Sequence, residues 1–354
     1  MNIFIIYFRT ILFRLGFPVK PVLINWLITR RCNLACPYCE IGVANKKEIK
    51  ETELNLDQIK KIVPQFKALG VRFVTFAGGE PLVYEDMLSV IKYCKGQGFI
   101  VGLVTNGILI TEEVARQLAA SGVDHIHISL DSPDNLQDEI RNFEGCFKRV
   151  DSAIRWLLKY KDMGGYHIGL GSVISAFNFD KVENLFSYAE KMGIDSVGLQ
   201  PFFENQIRNK EMIDRFSITP EKIAYLQEKI KYFLRCYPHL IRSSYFFTNS
   251  IPKYFRDPKM KGTYCYGGGL TINIFPDGTL GACYYLCAQD AGSLREKKLL
   301  EIINTPAYRR LLERVRMRDC PTCWCPVDHD FNLLFRPLDM LRSLRLLRVF
   351  KTGK

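Results

Sequence analysis

Between residues 22 and 201 short apolar runs alternate with longer stretches of helical period, and this rhythm constrains the fold more than any other feature. The strand-like runs are Val22–Thr29, Arg72–Phe76, Ile100–Thr105, His125–Leu130, His167–Ile174 and Ser196–Pro201. The helix-like stretches between them are Leu56–Leu69, Tyr84–Gly96, Glu112–Ser121, Cys146–Tyr160 and Asp180–Met192. Strands separated in this way build parallel β/α units, which a right-handed crossover winds in one direction. Six units predict an α/β fold, a partial (β/α)6 barrel of TIM type, whose chemistry gathers on the loops after the strands' C-terminal ends. Residues 202–262 break the rhythm with a helix over Pro220–Cys236 and a mixed linker. Leu270–Phe275 and Thr279–Tyr285 then flank Asp277-Gly278 as a β-hairpin. The expected organisation is an apolar basic segment (1–20), a core barrel (21–204), a linker with a helix (205–262), a small cysteine-rich α+β domain (263–330) and a basic amphipathic tail (331–354).

Hydrophobic residues at 47% and charged residues at 24% exclude a disordered chain. No uninterrupted apolar run is long enough for a spanning helix. Lys and Arg number 49 against 37 acids, and the excess collects at the ends. Arg9, Arg14 and Lys20 face no acid in residues 1–20; Arg336, Arg342, Arg345, Arg348, Lys351 and Lys354 face only Asp339 in 331–354. No basic stripe with interleaved aromatics runs along the body, so no nucleic-acid partner is expected. The 12 cysteines form two groups and three singletons. The run Ile3–Phe8 has no basic lead and no small-residue cleavage site, so the expected address is the reducing cytoplasm, where clustered cysteines hold metal or do redox work.

Directly after the first strand comes Cys32-Asn-Leu-Ala-Cys36-Pro-Tyr-Cys39. Three thiolates on one loop can hold three corners of a cubane cluster and leave one iron open. A zinc knuckle or chance spacing is the alternative, although zinc sites more often close with a fourth ligand nearby. The second strand ends in Gly78-Gly79-Glu80-Pro81, the third in Thr105-Asn106-Gly107, the fourth in Ser129-Leu130-Asp131-Ser132, and Asp138-Glu-Ile-Arg141 precedes Gly145-Cys-Phe147. Together these motifs resemble the radical S-adenosylmethionine (radical SAM) superfamily over about residues 22–205. The resemblance implies a [4Fe-4S] cluster on Cys32, Cys36 and Cys39, with Tyr38 beside the last cysteine as in the family. It implies SAM bound by Gly78, Gly79, Glu80, Pro81, Asn106, Ser129, Asp131 and Arg141. Glu80 would accept from the ammonium of SAM, and Arg141 would approach its carboxylate. The implied reaction is reductive cleavage of SAM to a 5′-deoxyadenosyl radical that takes a hydrogen atom from an unactivated carbon. A one-electron donor such as flavodoxin or ferredoxin is implied as partner.

Cys265, Gly278 and Cys283, followed by Cys320-Pro-Thr-Cys323-Trp-Cys325, resemble the SPASM/twitch region appended to some members of that superfamily. The final cysteine series is shorter than in a full SPASM domain and closer to the twitch form with one auxiliary [4Fe-4S] cluster. That resemblance implies ligation by Cys265, Cys283, Cys320 and Cys323, with Cys287 and Cys325 as possible replacements; zinc is the structural alternative. Cys94, Cys146 and Cys236 read as small buried hydrophobes. His125, His127 and His167 read as packed histidines, with a catalytic role as the alternative.

Residues 2–17 are strongly apolar with two arginines, and residues 338–350 place Arg342, Arg345 and Arg348 on one arc at helical spacing. Such ends either lie in the headgroup region of an anionic membrane, as a peripheral protein on the inner face, or pack on the barrel and on each other. Membrane contact favours a lipid or lipid-linked substrate beside the small-molecule and sugar readings. Only 31 residues precede Cys32, which lowers the alternative of a peptide maturase unless a partner supplies leader recognition. A non-catalytic zinc scaffold is the competing class.

Overall fold

The computed structural model describes residues 3–39, 53–204, 210–260, 263–288 and 291–342. Six parallel strands form in chain order: β1 (Leu23–Thr29), β2 (Phe73–Gly78), β3 (Ile100–Thr105), β4 (His125–Ser129), β5 (His167–Ile174) and β6 (Ser196–Pro201). Alternate residues explain why they bury one face. Ile24, Trp26 and Ile28 of β1, Val101 and Leu103 of β3, and Ile126 and Ile128 of β4 all enter the core beneath the surrounding helices. The opposite face lines the lumen of a partial barrel. The helix Leu56–Leu69 begins in a capping box between Asn55 and Gln58 and stops at Gly70 in the left-handed region. Its Phe66 packs against Trp26 at 5.6 Å.

The sheet does not end with the barrel. β7 (Thr271–Ile274) pairs in parallel with β1, and β8 (Leu280–Cys283) and β9 (Leu286–Cys287) continue antiparallel, giving one sheet in the order β6-β5-β4-β3-β2-β1-β7-β8-β9. The expected hairpin forms, but its first strand is a seventh strand of the barrel sheet. Residues 210–260, read as mostly linker, are largely helical. Besides Pro220–Cys236 they contain Lys210–Phe216, Tyr245–Asn249 and Ile251–Arg256. Ile223, Leu226, Ile230 and Phe233 join the main core, with Phe233 stacked on Phe186 at 4.9 Å. This segment therefore belongs to the barrel's outer layer.

The first helix meets residues 264–335. The helix Ile3–Arg14 buries Ile6, Thr10 and Phe13, spaced to share one face. Phe13 lies against Gly269, where an added Cβ would stand 2.2 Å from the ring. Arg14 donates to the Tyr266 hydroxyl (2.6 Å) and Asn332 Oδ1 (3.1 Å), and its guanidinium covers the Phe335 ring at 3.4 Å. The opposite face leaves Phe4 and Phe8 exposed, Leu15 and Phe17 are exposed just after the helix, and Leu338 and Leu341 are exposed farther along the chain. Packing of the N-terminal helix on the body is thus observed alongside an apolar outer face. Residues 343–354, which hold most of the predicted basic tail, lie outside the described residues. No described helix is long and apolar enough to cross a membrane.

Candidate active site

The loop after β1 is fastened at its stem before it reaches its cysteines. Gly79 N donates to Thr29 O and Glu80 N to Arg31 O, both at 2.8 Å. This contact requires the two glycines. A Cβ on Gly78 (φ 148°) would lie 2.3 Å from Thr29 O, and one on Gly79 2.2 Å from Arg31 O. Sequence reasoning assigned these glycines to close approach by a ligand; here they admit the chain's own cysteine loop. Arg31 adds an ion pair with Glu53 at 2.9 Å.

Glu80 is fully buried, and its oxygens are already engaged. Oε1 accepts from the Thr105 hydroxyl (2.8 Å) and Leu82 N (3.1 Å), and Oε2 accepts from Asn106 N (2.7 Å). Burial raises its pKa to about 7 against those three donors. Glu80 therefore braces the end of β2 to the end of β3, a task the sequence reading did not give it. Pro81 is buried at the start of the short turn Pro81–Val83.

Asn106 turns toward the cysteine loop. Its Nδ2 lies 2.8 Å from Asn33 Oδ1 and 3.8 Å from Cys32 Sγ, and Leu34 N approaches the same sulfur at 3.4 Å. Burial pushes the Cys32 thiol up to about 11 and raises Cys36 as well, with the Arg141 cation pulling Cys36 back. Cys39 N donates to Cys36 O at 3.0 Å, closing the turn. All three thiols are free. Among the described residues no three His, Cys, Asp or Glu side chains are gathered around one ion position. Ligands of a four-iron cluster each hold a different iron and stand apart by the cluster's width.

At the end of β4, Asp131 pairs with Arg141 at 2.7 Å and accepts from Val173 N at 2.8 Å. The Tyr38 hydroxyl reaches it at 3.4 Å, and Arg141 lies over the Tyr38 ring at 5.6 Å. Cys36, Tyr38, Asp131 and Arg141, chosen from three separate motifs, thus meet at one place. Among the described residues Arg141 Nε is buried there without a partner, a donor left over in a site otherwise satisfied. Asp138 accepts from Gly145 N (2.7 Å) and Phe147 N (2.8 Å), which ties the two halves of that segment together. Ser129 is half-buried, and its carbonyl accepts from Gln137 Nε2 at 3.3 Å.

Three supporting residues were missed. Asn33 bonds Asn106; Gln137 accepts from Asp131 N at 2.8 Å; Asn178 donates to Asp131 O at 3.0 Å. Asn33 sits inside the cysteine loop and was open to notice. Gln137 and Asn178 carry no signal that separates them from solvated loop residues.

The second cysteine group also converges. Burial raises the thiol pKa of Cys265, Cys283, Cys323 and Cys325, and neighbouring cysteines add to each rise, Cys320 among them. Cys287 stands aside, donating to Leu280 O at 3.5 Å. Trp324 fixes the last loop, stacked on Phe247 at 5.1 Å and donating to its carbonyl at 3.0 Å.

Comparison with known proteins decides the family. The model of the radical SAM superfamily matches residues 26–199, and that of the SPASM iron-sulfur cluster-binding domain matches residues 265–324. The chain belongs to the radical SAM superfamily. Its family cofactors are a [4Fe-4S] cluster and SAM, with auxiliary iron–sulfur binding in the SPASM domain. The chain is 27% identical over 319 residues to the AdoMet-dependent heme synthase of Methanosarcina barkeri, spanning 86% of this chain and 88% of that protein. It is 28% identical over 279 residues to the PqqA peptide cyclase of Methylocella silvestris, spanning 75% and 69%. Among solved structures, Streptococcus suis SuiB bound to S-adenosylmethionine shares the fold with a TM-score of 0.66 at 18% identity, over 92% of this chain and 77% of that one.

Proposed function

We propose that this radical SAM protein is an enzyme that takes a hydrogen atom from an unactivated carbon of a substrate held in the barrel lumen. The convergence of Cys36, Tyr38, Asp131 and Arg141, with Arg141 Nε left as a buried free donor, carries this reading. Cys32, Cys36 and Cys39 would hold the cluster, and Arg141 would give its free donor to the SAM carboxylate, anchored meanwhile on Asp131. Asn106 and Ser129 would line the same ligand, with Gly78, Gly79, Glu80 and Pro81 as the scaffold beneath it. When bound, the cluster and SAM supply a one-electron cleavage that delivers a carbon radical. The residues' own work is to keep the thiols at donor-rich positions, orient SAM and exclude water from the lumen. Cys265, Cys283, Cys320 and Cys323 would hold an auxiliary cluster, with Cys325 the nearer replacement and Cys287 outside the group.

The substrate we favour is a small molecule, sugar or membrane lipid. Supporting the last are the exposed Phe4, Phe8, Leu15 and Phe17 beside two basic ends, which suit contact with an anionic membrane surface. A peptide substrate is the second reading, favoured by the likeness to PqqA peptide cyclase. A one-electron donor of the flavodoxin or ferredoxin kind would supply the reducing equivalent. The test is anaerobic reconstitution followed by SAM and dithionite. The enzyme reading expects 5′-deoxyadenosine; a zinc-binding scaffold yields none.

A further inference from the structure

The lumen contains buried polar atoms that find no partner among the described residues. Strand alternation puts His125 and His127 of β4 and His167 of β5 on the lumen face, their rings 5.5 to 6.5 Å apart. Arg242 arrives from outside the strand order, where Arg242 N donates to Val197 O at 3.0 Å beside β6. Its Nη1 stands 2.5 Å from His127 Nδ1. A guanidinium only donates, so Nδ1 must accept and the imidazole proton must sit on Nε2. That Nε2–H is buried and unpartnered among the described residues, and so is the hydroxyl of Ser196.

Arg242 keeps exposed surface, yet burial pulls its pKa down to about 10. Glycines make room for these side chains: a Cβ on Gly169 would lie 2.3 Å from His127 Nδ1 and 2.9 Å from Ser196 Oγ, and one on Gly198 3.4 Å from Arg242 Cδ. Asp330, the carboxylate that acts on Arg242, is held by Ser244 N at 3.1 and 3.2 Å. Among the described residues the guanidinium makes one hydrogen-bond contact, through Nη1 to His127, which leaves its other donors for a ligand.

We propose that Arg242, His127 and Ser196 form a seat for an oxyanion, a carboxylate or phosphate, carried by the substrate at the end remote from the reacting carbon. All three offer donors, and a guanidinium fork matches paired oxygens. His127 lies two residues before Ser129, about 7 Å deeper in the lumen than the cofactor end of β4. The substrate would then stand along the barrel axis, anion down and target carbon up. This rests on the reading of the lumen as the reaction chamber.

The test uses the full-length reconstituted protein, with inorganic phosphate and acetate as probes in isothermal titration calorimetry. One or both bind at a single saturable site; preference between them tells phosphate from carboxylate. Arg242→Gln weakens that binding roughly ten- to hundredfold, and Arg242→Lys recovers part of it. Ser196→Ala is the second variant: it removes one unpartnered donor, leaves Arg242 intact and weakens binding severalfold. No saturable binding by either probe, or binding unchanged in both Arg242→Gln and Ser196→Ala, overturns the seat. Absence of 5′-deoxyadenosine from the wild-type protein overturns the radical chemistry instead, so the two failures are distinct.

Discussion

Replacing Gly79 by alanine tests how the cysteine loop is held. The new methyl would lie 2.2 Å from Arg31 O and 2.6 Å from Arg30 O, whereas a carbon approaches a carbonyl oxygen no nearer than about 3.3 Å. The backbones must part by about 1 Å, enough to break the bonds from Gly79 N and Glu80 N to the loop's stem. Two hydrogen bonds at about 1 kcal/mol each, with about 1–3 kcal/mol of overpacking, give a loss of about 3–5 kcal/mol. At about 2–4 °C per kcal/mol for a domain of this size, melting should fall by about 10 °C. Iron and acid-labile sulfide after reconstitution should drop by about one four-iron cluster per chain. Gly145→Ala is the control. Its Cβ meets no atom within 4 Å, so it should pay only the left-handed backbone penalty, about 1–2 kcal/mol. A Gly79→Ala protein that melts within about 2 °C of wild type and keeps full iron would refute the reasoning.

Cys36→Ala should abolish 5′-deoxyadenosine formation, whereas Cys283→Ala should lose about four irons per chain and still form it. Normal iron in Cys283→Ala would contradict the auxiliary assignment. Cys287→Ser should leave iron content unchanged, because that thiol bonds the backbone away from the other cysteines. Arg141→Gln strands the buried Asp131 carboxylate and should cost about 3–5 kcal/mol, partly recovered when Asp131→Asn is added; chemical denaturation of the metal-free protein measures both. Deleting residues 331–354 or introducing Phe8→Asp should reduce co-sedimentation with phosphatidylserine vesicles, and unchanged sedimentation would count against membrane contact.

The barrel was legible because its strands bury one face under amphipathic helices, a local pattern. Leu56–Leu69, Ile100–Thr105 and Pro220–Cys236 form with the expected bounds. What was not legible is long-range. Nothing near Thr271 announces that it will pair with Leu23, so the hairpin read as a separate unit. The short helices after residue 236 read as linker because none is long enough to establish a period. Arg14 looked like an interruption of an apolar run; in the fold it covers the Phe335 ring. At the site, cysteines and glycines announced themselves by spacing, while Gln137 and Asn178 acquire meaning only once the chain has brought them to Asp131.

Electron paramagnetic resonance of the dithionite-reduced Cys283→Ala protein, with and without SAM, tests the central claim most directly, since that variant isolates the cluster on Cys32, Cys36 and Cys39. The account predicts a [4Fe-4S]+ signal that shifts when SAM is added and is missing when Cys36→Ala is combined with it. A signal indifferent to SAM, or a loop that holds zinc after oxygen-free reconstitution, would contradict it.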